Sequence, residues 1–340
     1  MSGGVDSSVA AYLLKTQGFD CMGVMMHLFS PKSPSVTCGS GNAEQIATQI
    51  GIPFVLCDYT SEFKHCVIDY FIQTYIEGGT PNPCVECNRT MKFGKLYEAA
   101  LQYGCEKIAT GHYANITRDA NGRYLLSAAS DDSKDQTYVL WSLSQDQLAR
   151  TLFPLGGLRK SEIREIAQEQ GFCNANQPDS QDICFIPEGD YVSFIEKNTD
   201  LIFPRGNFVD RNGMILGEHQ GLIRYTVGQR KGLGIAFGKP TYVCGKDAVT
   251  NTVILGDNED LFQKELTAHS VNLIATEQIN HPIHVQAKIR YSAKAASAIV
   301  EQTDTDTLRV RFDEPQRAIC KGQSLVMYDG NLVIGGGIID

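Results

Sequence analysis

Apolar residues recur with helical spacing at Val9, Ala10, Leu13 and Leu14 and stop before Gly18, which predicts a helix over 7–17. An apolar run over 21–28 follows and reads as a buried strand. The same two patterns return as a helix over 42–50 and a strand over 52–59, and longer helical patterns cover 61–76 and 92–103. A short strand over 107–110 then runs into Gly111-His112-Tyr113. Such alternation implies a parallel sheet covered by helices on both faces, with ligands at the carboxyl ends of the strands. Beyond residue 198 the helical period gives way to strict alternation. Val285, Ala287, Ile289 and Tyr291 face one way and His284, Gln286, Lys288 and Arg290 the other; 308–312 alternates likewise, and Asp329-Gly330 marks a two-residue hairpin turn. The expected order is an α/β N-terminal domain over 1–198, a central β domain over 199–266 and a last β domain over 267–340.

Composition narrows the class. The 340 residues are 42% hydrophobic and 20% charged, with no apolar run near the ~18 residues of a membrane span. Eleven cysteines are too sparse for a disulfide scaffold and read as reduced thiols, so a cytoplasmic location is expected. The net charge of −9 argues against a binder that holds nucleic acid by bulk charge. Any RNA contact would use local patches. One candidate lies between Arg205 and Lys239, where Arg205, Arg211, Arg224, Arg230, Lys231 and Lys239 meet only Asp210 and Glu218.

The chain opens Ser2-Gly3-Gly4-Val5-Asp6-Ser7-Ser8 and runs straight into the first helix. Two glycines let backbone N–H groups turn toward one point, and the helix N-terminus adds positive potential there, so the segment is an anion cradle. It is neither a Walker loop nor a dinucleotide-binding turn. Ser-Gly-Gly-x-Asp-Ser-Ser resembles the PP-loop of the ATP pyrophosphatase superfamily. That resemblance implies an adenine nucleotide alpha hydrolase-like parallel-sheet domain that binds ATP through Ser2, Gly3, Gly4, Val5, Asp6 and Ser7, with Asp6 helping to hold Mg2+ on the pyrophosphate. A buried strand delivers the loop in that superfamily, whereas here the chain starts at Met1; the expectation is a native protein about five to ten residues longer at this end.

Three cysteines stand in motifs of their own. Thr80-Pro81-Asn82-Pro83-Cys84-Val85-Glu86-Cys87-Asn88-Arg89 lies between two helical patterns, with prolines that stiffen it, and Asp179-Ser180-Gln181-Asp182-Ile183-Cys184-Phe185-Ile186 puts Cys184 at a loop-to-strand boundary. Cys21, Cys57 and Cys244 sit in apolar strands and read as core residues. A structural zinc half-site on Cys84 and Cys87 lacks a second Cys-x-x-Cys to complete it.

With Lys92-Phe93, Ala109-Thr110-Gly111-His112-Tyr113, Lys134-Asp135-Gln136, Gly217-Glu218-His219-Gln220-Gly221, Gly228-Gln229-Arg230-Lys231-Gly232 and Gly335-Gly336-Gly337, these motifs are similar, over nearly the whole chain, to those of the tRNA-specific 2-thiouridylase family. The resemblance implies a tRNA-uridine 2-sulfurtransferase with a C-terminal β-barrel. The wobble uridine O2 would be adenylated by ATP, Cys184 would carry a persulfide from a donor such as a cysteine desulfurase or sulfur relay protein, and Cys87 would release the sulfur through a disulfide. It also implies that Met26 and Gly111 line the nucleotide site and that Asn82, Pro83 and Cys84 meet the target base. His112, Lys134, Asp135, Gln136, Arg290, Tyr291 and Gln323 would contact the tRNA anticodon arm. Many members of the family carry aspartate where this chain has Cys84. That departure opens an alternative in which Cys84, Cys87 and Cys184 hold a [4Fe-4S] cluster. A small-molecule synthetase on the same loop would have no use for Cys87 and Cys184. A non-catalytic RNA-binding or metal-storage module would have no use for the loop.

Overall fold

The computed structural model describes residues 1–29, 40–179, 183–187, 189–235 and 238–340. Cys38, whose role the sequence leaves open, and Ser180-Gln181-Asp182 of the Cys184 motif lie outside the described residues. Contacts group the chain into two units: Met1–Ile68, Cys84–Pro187 and Gly330–Ile334 form the first, and Asp69–Pro83, Glu188–Asp329 and Gly335–Asp340 the second.

In the first unit α1 (Val5–Thr16) buries Val9, Ala10 and Leu14 and ends at Gly18, whose φ of 88° suits a residue without Cβ. It leads into β1 (Gly23–His27), α2 (Ser40–Gln49) and β2 (Phe54–Asp58), and β1 pairs in parallel with β2, Met26 opposite Cys57. Further on, β3 (Ile108–Ala109) is followed by the hairpin of β4 (Asn115–Arg118) and β5 (Tyr124–Ser127), and β6 (Thr151–Leu152) returns to pair in parallel with β3. The expected parallel sheet is thus present as two parallel pairs. Its core joins Val5, Val9 and Ala10 to Ile46, Tyr113, Leu155, Ile163 and Ala167. Two expectations need correction. Cys21 precedes β1 and is only half-buried, as are Cys57 and Cys244 in their strands; and β2 exposes Leu56 at 54%, so it is not a fully buried strand.

The cysteine segment also differs from expectation. Pro83–Glu86 is helical, continues as a π-helix over Cys87–Lys95 and then as an α-helix over Leu96–Gln102. Pro83 occupies a first helical position, where a missing N–H costs nothing, so it starts a helix instead of stiffening a loop. Cys184 sits in a turn closed by Ile186 N donating to Ile183 O at 2.8 Å, and no strand follows it among the described residues of that segment.

The second unit is mostly β structure. β7 (Gly206–Val209), β8 (Ile215–His219), β9 (Tyr242–Asp247) and β10 (Thr252–Gly256) form a sheet in the order β8-β7-β10-β9 around Phe208, Tyr225, Val243 and Val253. His219 is buried and neutral because burial lowers its pKa. Its Nδ1 accepts from Gly221 N at 3.1 Å and its Nε2 donates to Asn251 O at 3.1 Å, so this motif histidine is a structural link.

A closed six-stranded barrel follows, built from β11 (Phe262–Leu273), β12 (Ile283–Lys288), β13 (Ala296–Asp304), β14 (Thr307–Arg317), β15 (Ser324–Asp329) and β16 (Leu332–Ile339). Its order is β11-β14-β13-β12-β15-β16, and β16 pairs back onto β11. The alternation read from sequence holds: Val285, Ala287, Leu308, Val310 and Phe312 are buried and His284, Gln286, Arg309 and Arg311 exposed. Tyr291 does not share that face, because β12 stops at Lys288 and Tyr291 is 47% exposed beyond it. Two of the three glycines let β16 close on β11, since a Cβ at Gly335 would come 2.3 Å from Asn272 O and one at Gly337 2.9 Å from His269 O. Among the described residues no helix is long and apolar enough to cross a membrane.

Candidate active site

The phosphate loop forms as its residues require. Gly3 has φ 82°, and Gly4 caps α1 in an extended conformation with no side-chain cap on the first-turn N–H groups, so the leading N–H groups of a twelve-residue helix stay open to an anion. Ser7 Oγ accepts from Ser2 N at 3.0 Å and donates to Gly4 O at 3.0 Å, which places both serines at the rim. Val5 is buried and contributes its backbone. Met26 stands half-buried near the carboxyl end of β1.

Asp6 is held from two directions: Tyr113 Oη and Lys160 Nζ both donate to its Oδ1, each at 2.6 Å. Lys160 begins the helix Lys160–Glu169, is 8% exposed and also pairs with Asp179 at 2.8 Å. Asp179 binds Lys134 at 2.8 Å and Arg164 at 3.1 Å as well. Burial pushes the Asp179 carboxyl up, but the bonds and charges of Lys134 and Lys160 outweigh it and hold the group at about 2. Asn174 braces the loop from beneath, donating to Gly3 O at 2.8 Å and to Ser8 Oγ at 3.0 Å. Lys160 and Asn174 were not singled out from the sequence, and Tyr113 and Asp179 stood in motifs without a role of their own. A lysine or asparagine more than 150 positions from the loop carries no local signal.

One segment, 109–113, joins this loop to the cysteines. A Cβ on Gly111 would lie 2.8 Å from Asp6 C and Ser7 N, so only glycine lets the segment pack on the phosphate loop. The next residue, His112, is 7% exposed, and burial together with the Lys92 charge drives its pKa well down. Neutral His112 turns Nε2 toward Lys92 Nζ at 3.4 Å, and its Nδ1–H donates to Thr110 Oγ1 at 2.8 Å. Lys92 in turn acts on Cys84, Cys87 and Cys184.

All three are thiols outside any disulfide, Cys87 buried and Cys84 and Cys184 with exposed faces. The turn bearing Cys184 is anchored by buried Phe185, packed edge-on against Phe63 at 5.6 Å, and by buried Ile186. Protein packed around Cys184 pushes its thiol to about 12, with Cys87 and Cys84 adding to the push, although its solvent contact tempers the effect. Cys84 and Cys87 are likewise raised by burial and lowered by Lys92.

Lys134, Asp135 and Gln136 reach the same region in structural roles. Gln136 Oε1 accepts from Tyr113 N at 3.0 Å, while Asp135 accepts from Ala129 N at 3.2 Å and Thr137 Oγ1 at 2.6 Å. The remaining expected tRNA contacts lie in the second unit. Gln323 Nε2 donates to Thr80 O at 2.8 Å and Pro81 O at 3.2 Å, holding the chain that leads into Asn82 and Pro83. Arg290 Nη2 donates to Arg317 O at 2.7 Å. The basic patch is smaller than the sequence suggested: Arg211 pairs with Asp260 and Lys239 with Asp257, Arg224 with Glu196, and Arg205 stands 4.0 Å from Glu218. Exposed Arg230 and Lys231 remain.

The donor sets differ in what they suit. Mg2+ on a nucleotide needs only one or two protein carboxylates, and Asp6, whose two donors both meet Oδ1, fits that need through Oδ2. For a [4Fe-4S] cluster the fit fails, since among the described residues no three Cys, His, Asp or Glu side chains are grouped to hold a metal ion.

Comparisons with known proteins show the family. Residues 1–188 match the family described as tRNA methyl transferase HUP domain, 193–257 its PRC-barrel domain, and 263–339 the aminomethyltransferase beta-barrel domain. The chain is 51% identical over 348 residues to the tRNA-specific 2-thiouridylase MnmA of Clostridioides difficile, covering 100% of this chain and 96% of that one. It is 48% identical to the proteins of that name from Clostridium acetobutylicum and Acetivibrio thermocellus, covering 100% of this chain and 98% and 97% of theirs. Although the domain descriptions speak of methyl transfer, these relatives are named for thiolation. The chain belongs to the tRNA-specific 2-thiouridylase family.

Proposed function

We propose that this chain is a tRNA sulfurtransferase that replaces O2 of the wobble uridine with sulfur at the expense of ATP. The observation that carries the reading is segment 109–113, whose Gly111 packs on the phosphate loop while His112 meets the lysine beside the cysteines. An adenylating site and a sulfur site on one short segment suit a reaction that activates a carbon and then delivers sulfur to it.

In this reading the open N–H groups of α1, Ser2, Ser7 and Lys160 hold the ATP phosphates, with Met26 and Gly111 along the nucleotide. Mg2+ on Asp6 would neutralise pyrophosphate charge. The uridine O2 attacks the α-phosphate and pyrophosphate leaves. Cys184 bears a persulfide received from a cysteine desulfurase or relay protein in the cytoplasm. The Cys87 thiolate attacks Cys184 Sγ; a Cys87–Cys184 disulfide forms, and the terminal sulfur leaves as hydrosulfide with the electron pair. Hydrosulfide attacks C2, AMP departs with the former O2, and an external thiol reduces the disulfide. Asn82, Pro83 and Cys84 would meet the extruded base, with His112, Lys134, Asp135, Gln136, Arg290, Tyr291 and Gln323 along the anticodon arm. Domain limits of 1–198, 199–266 and 267–340 remain part of the proposal.

Pyrophosphate release is the direct test. It should require transcribed tRNA bearing the wobble uridine, and Cys87→Ser should retain it while losing thiolation. Release that ignores tRNA would point to a small-molecule substrate instead.

A further inference from the structure

The π-helical stretch Cys87–Lys95 carries Cys87, and it also sets the orientation of a charge that the reaction as described does not use. In an α-helix, side chains five residues apart stand about 140° apart round the axis. A π-helix closes its bonds from i to i+5, so residues five apart succeed one another along one side, and such turns recur at functional sites. Cys87 and Lys92 are five apart. Cys84, three residues before Cys87 on the preceding turn, falls on that side too.

Lys92 Nζ is fixed by the Nε2 of buried His112 at 3.4 Å. A charged donor meets a neutral acceptor there, so its positive charge is not cancelled. Among the described residues the titratable groups that act on Cys87 are Lys92, Cys84 and Glu86. Glu86 is itself engaged by Arg89 through two bonds of 2.6 and 3.1 Å. Among the described residues Lys92 is the cation whose field reaches all three cysteines.

We propose that Lys92 is the positioning cation of the sulfur site: turned toward the cysteines by the π-helical stretch and anchored on His112, its ammonium stabilises the Cys87 thiolate and the hydrosulfide released beside it. The inference rests on the reading that Cys87 and Cys184 handle sulfur. Burial raises both thiols, so a chemistry that needs a thiolate at Cys87 needs an offsetting charge, and Lys92 supplies it.

The test is the alkylation rate of Cys87 by iodoacetamide, resolved by peptide mass spectrometry, in full-length protein without ATP or tRNA. Lys92→Gln keeps a donor for His112 Nε2 and removes only the charge. At pH 8 it should slow Cys87 alkylation about tenfold or more, the effect of moving a thiol pKa by one unit or more, while Lys92→Arg stays close to wild type. An unchanged rate in folded Lys92→Gln overturns the proposal, as does equal slowing in Lys92→Arg, which would mark a packing role. Should Lys92→Gln not fold, the wild-type Lys92 Cε resonance is followed against pH. It should inflect where Cys87 alkylation switches on, and a resonance indifferent to that transition is contradictory. None of these readings depends on thiolation, so a Cys87→Ser protein that still thiolates tRNA would remove the sulfur-relay reading and leave the charge measurement interpretable.

Discussion

At the scale of single residues, the site depends on groups whose partners are distant in sequence. Lys160 neutralises Asp6 and Asp179 from a nearly buried position, so Lys160→Met should cost about 3–5 kcal/mol, the usual loss when one partner of a buried pair is removed. Chemical denaturation reads that loss, and a second change, Asp179→Asn, should recover part of it. Asp179 also sets an acid limit. Its folded pKa, about 2, lies below the unfolded value of 3.8, so its contribution is complete above 3.8 and is lost as pH falls from there toward 2. Asp179→Asn should flatten the decline in stability across that window; an equally steep decline would assign it to other carboxylates. Gly111→Ala places a methyl 2.8 Å from backbone atoms of the phosphate loop and should weaken ATP binding about tenfold or more while costing about 1–3 kcal/mol of stability. Calorimetry with ATP separates the two effects. The glycine-serine loop and the three cysteines could be named as candidates from the sequence because each motif is local and its residue types suggest a chemistry. Lys160, Asn174 and the role of Asp179 could not, since long-range ion pairs and braces leave no period.

At the scale of elements, helical spacing and apolar runs located α1, β1 and β2 within a few residues, and alternation located β12 and part of β14, whose buried and exposed residues alternate. What spacing cannot convey is hydrogen-bond register. The π-helix over Cys87–Lys95 has the residue types of any helix, and Pro83, read as stiffening a loop, starts one. The β4–β5 hairpin escaped notice although Asn121-Gly122 stands in its turn, with Gly122 at φ 88°. Charge counting erred for a related reason: Glu196, Asp257 and Asp260 come from outside the basic window and neutralise most of it. Arg230 and Lys231 stay on a tight loop fastened by Gln229, which accepts from Thr226 N and donates to Lys231 O, each at 3.0 Å. If this loop touches tRNA phosphates, reversing both charges should weaken tRNA binding and reduce the slope of log K against log salt by up to about 0.7–0.9 for each phosphate that the loop no longer neutralises. Unaltered affinity and slope would make the loop a solvated face.

For the whole molecule, the proposed reaction draws on an ATP site and a sulfur site in one unit and on tRNA contacts that include the β-rich second unit. Cys84 separates two versions of the chemistry. In the persulfide scheme it has at most a supporting role, so Cys84→Asp should retain thiolation when a persulfide donor is supplied; in a cluster scheme it would lose a ligand. The most direct measurement is 2-thiouridine formation by iron-free wild-type protein given ATP, Mg2+, tRNA, a thiol reductant, and a cysteine desulfurase with radiolabelled cysteine. The expected result is label at the wobble uridine, one AMP and one pyrophosphate per sulfur, and no labelled tRNA with Cys87→Ser or Cys184→Ala. Thiolation that appears only after an iron-sulfur cluster is rebuilt, or that continues in Cys87→Ser, would contradict the persulfide relay.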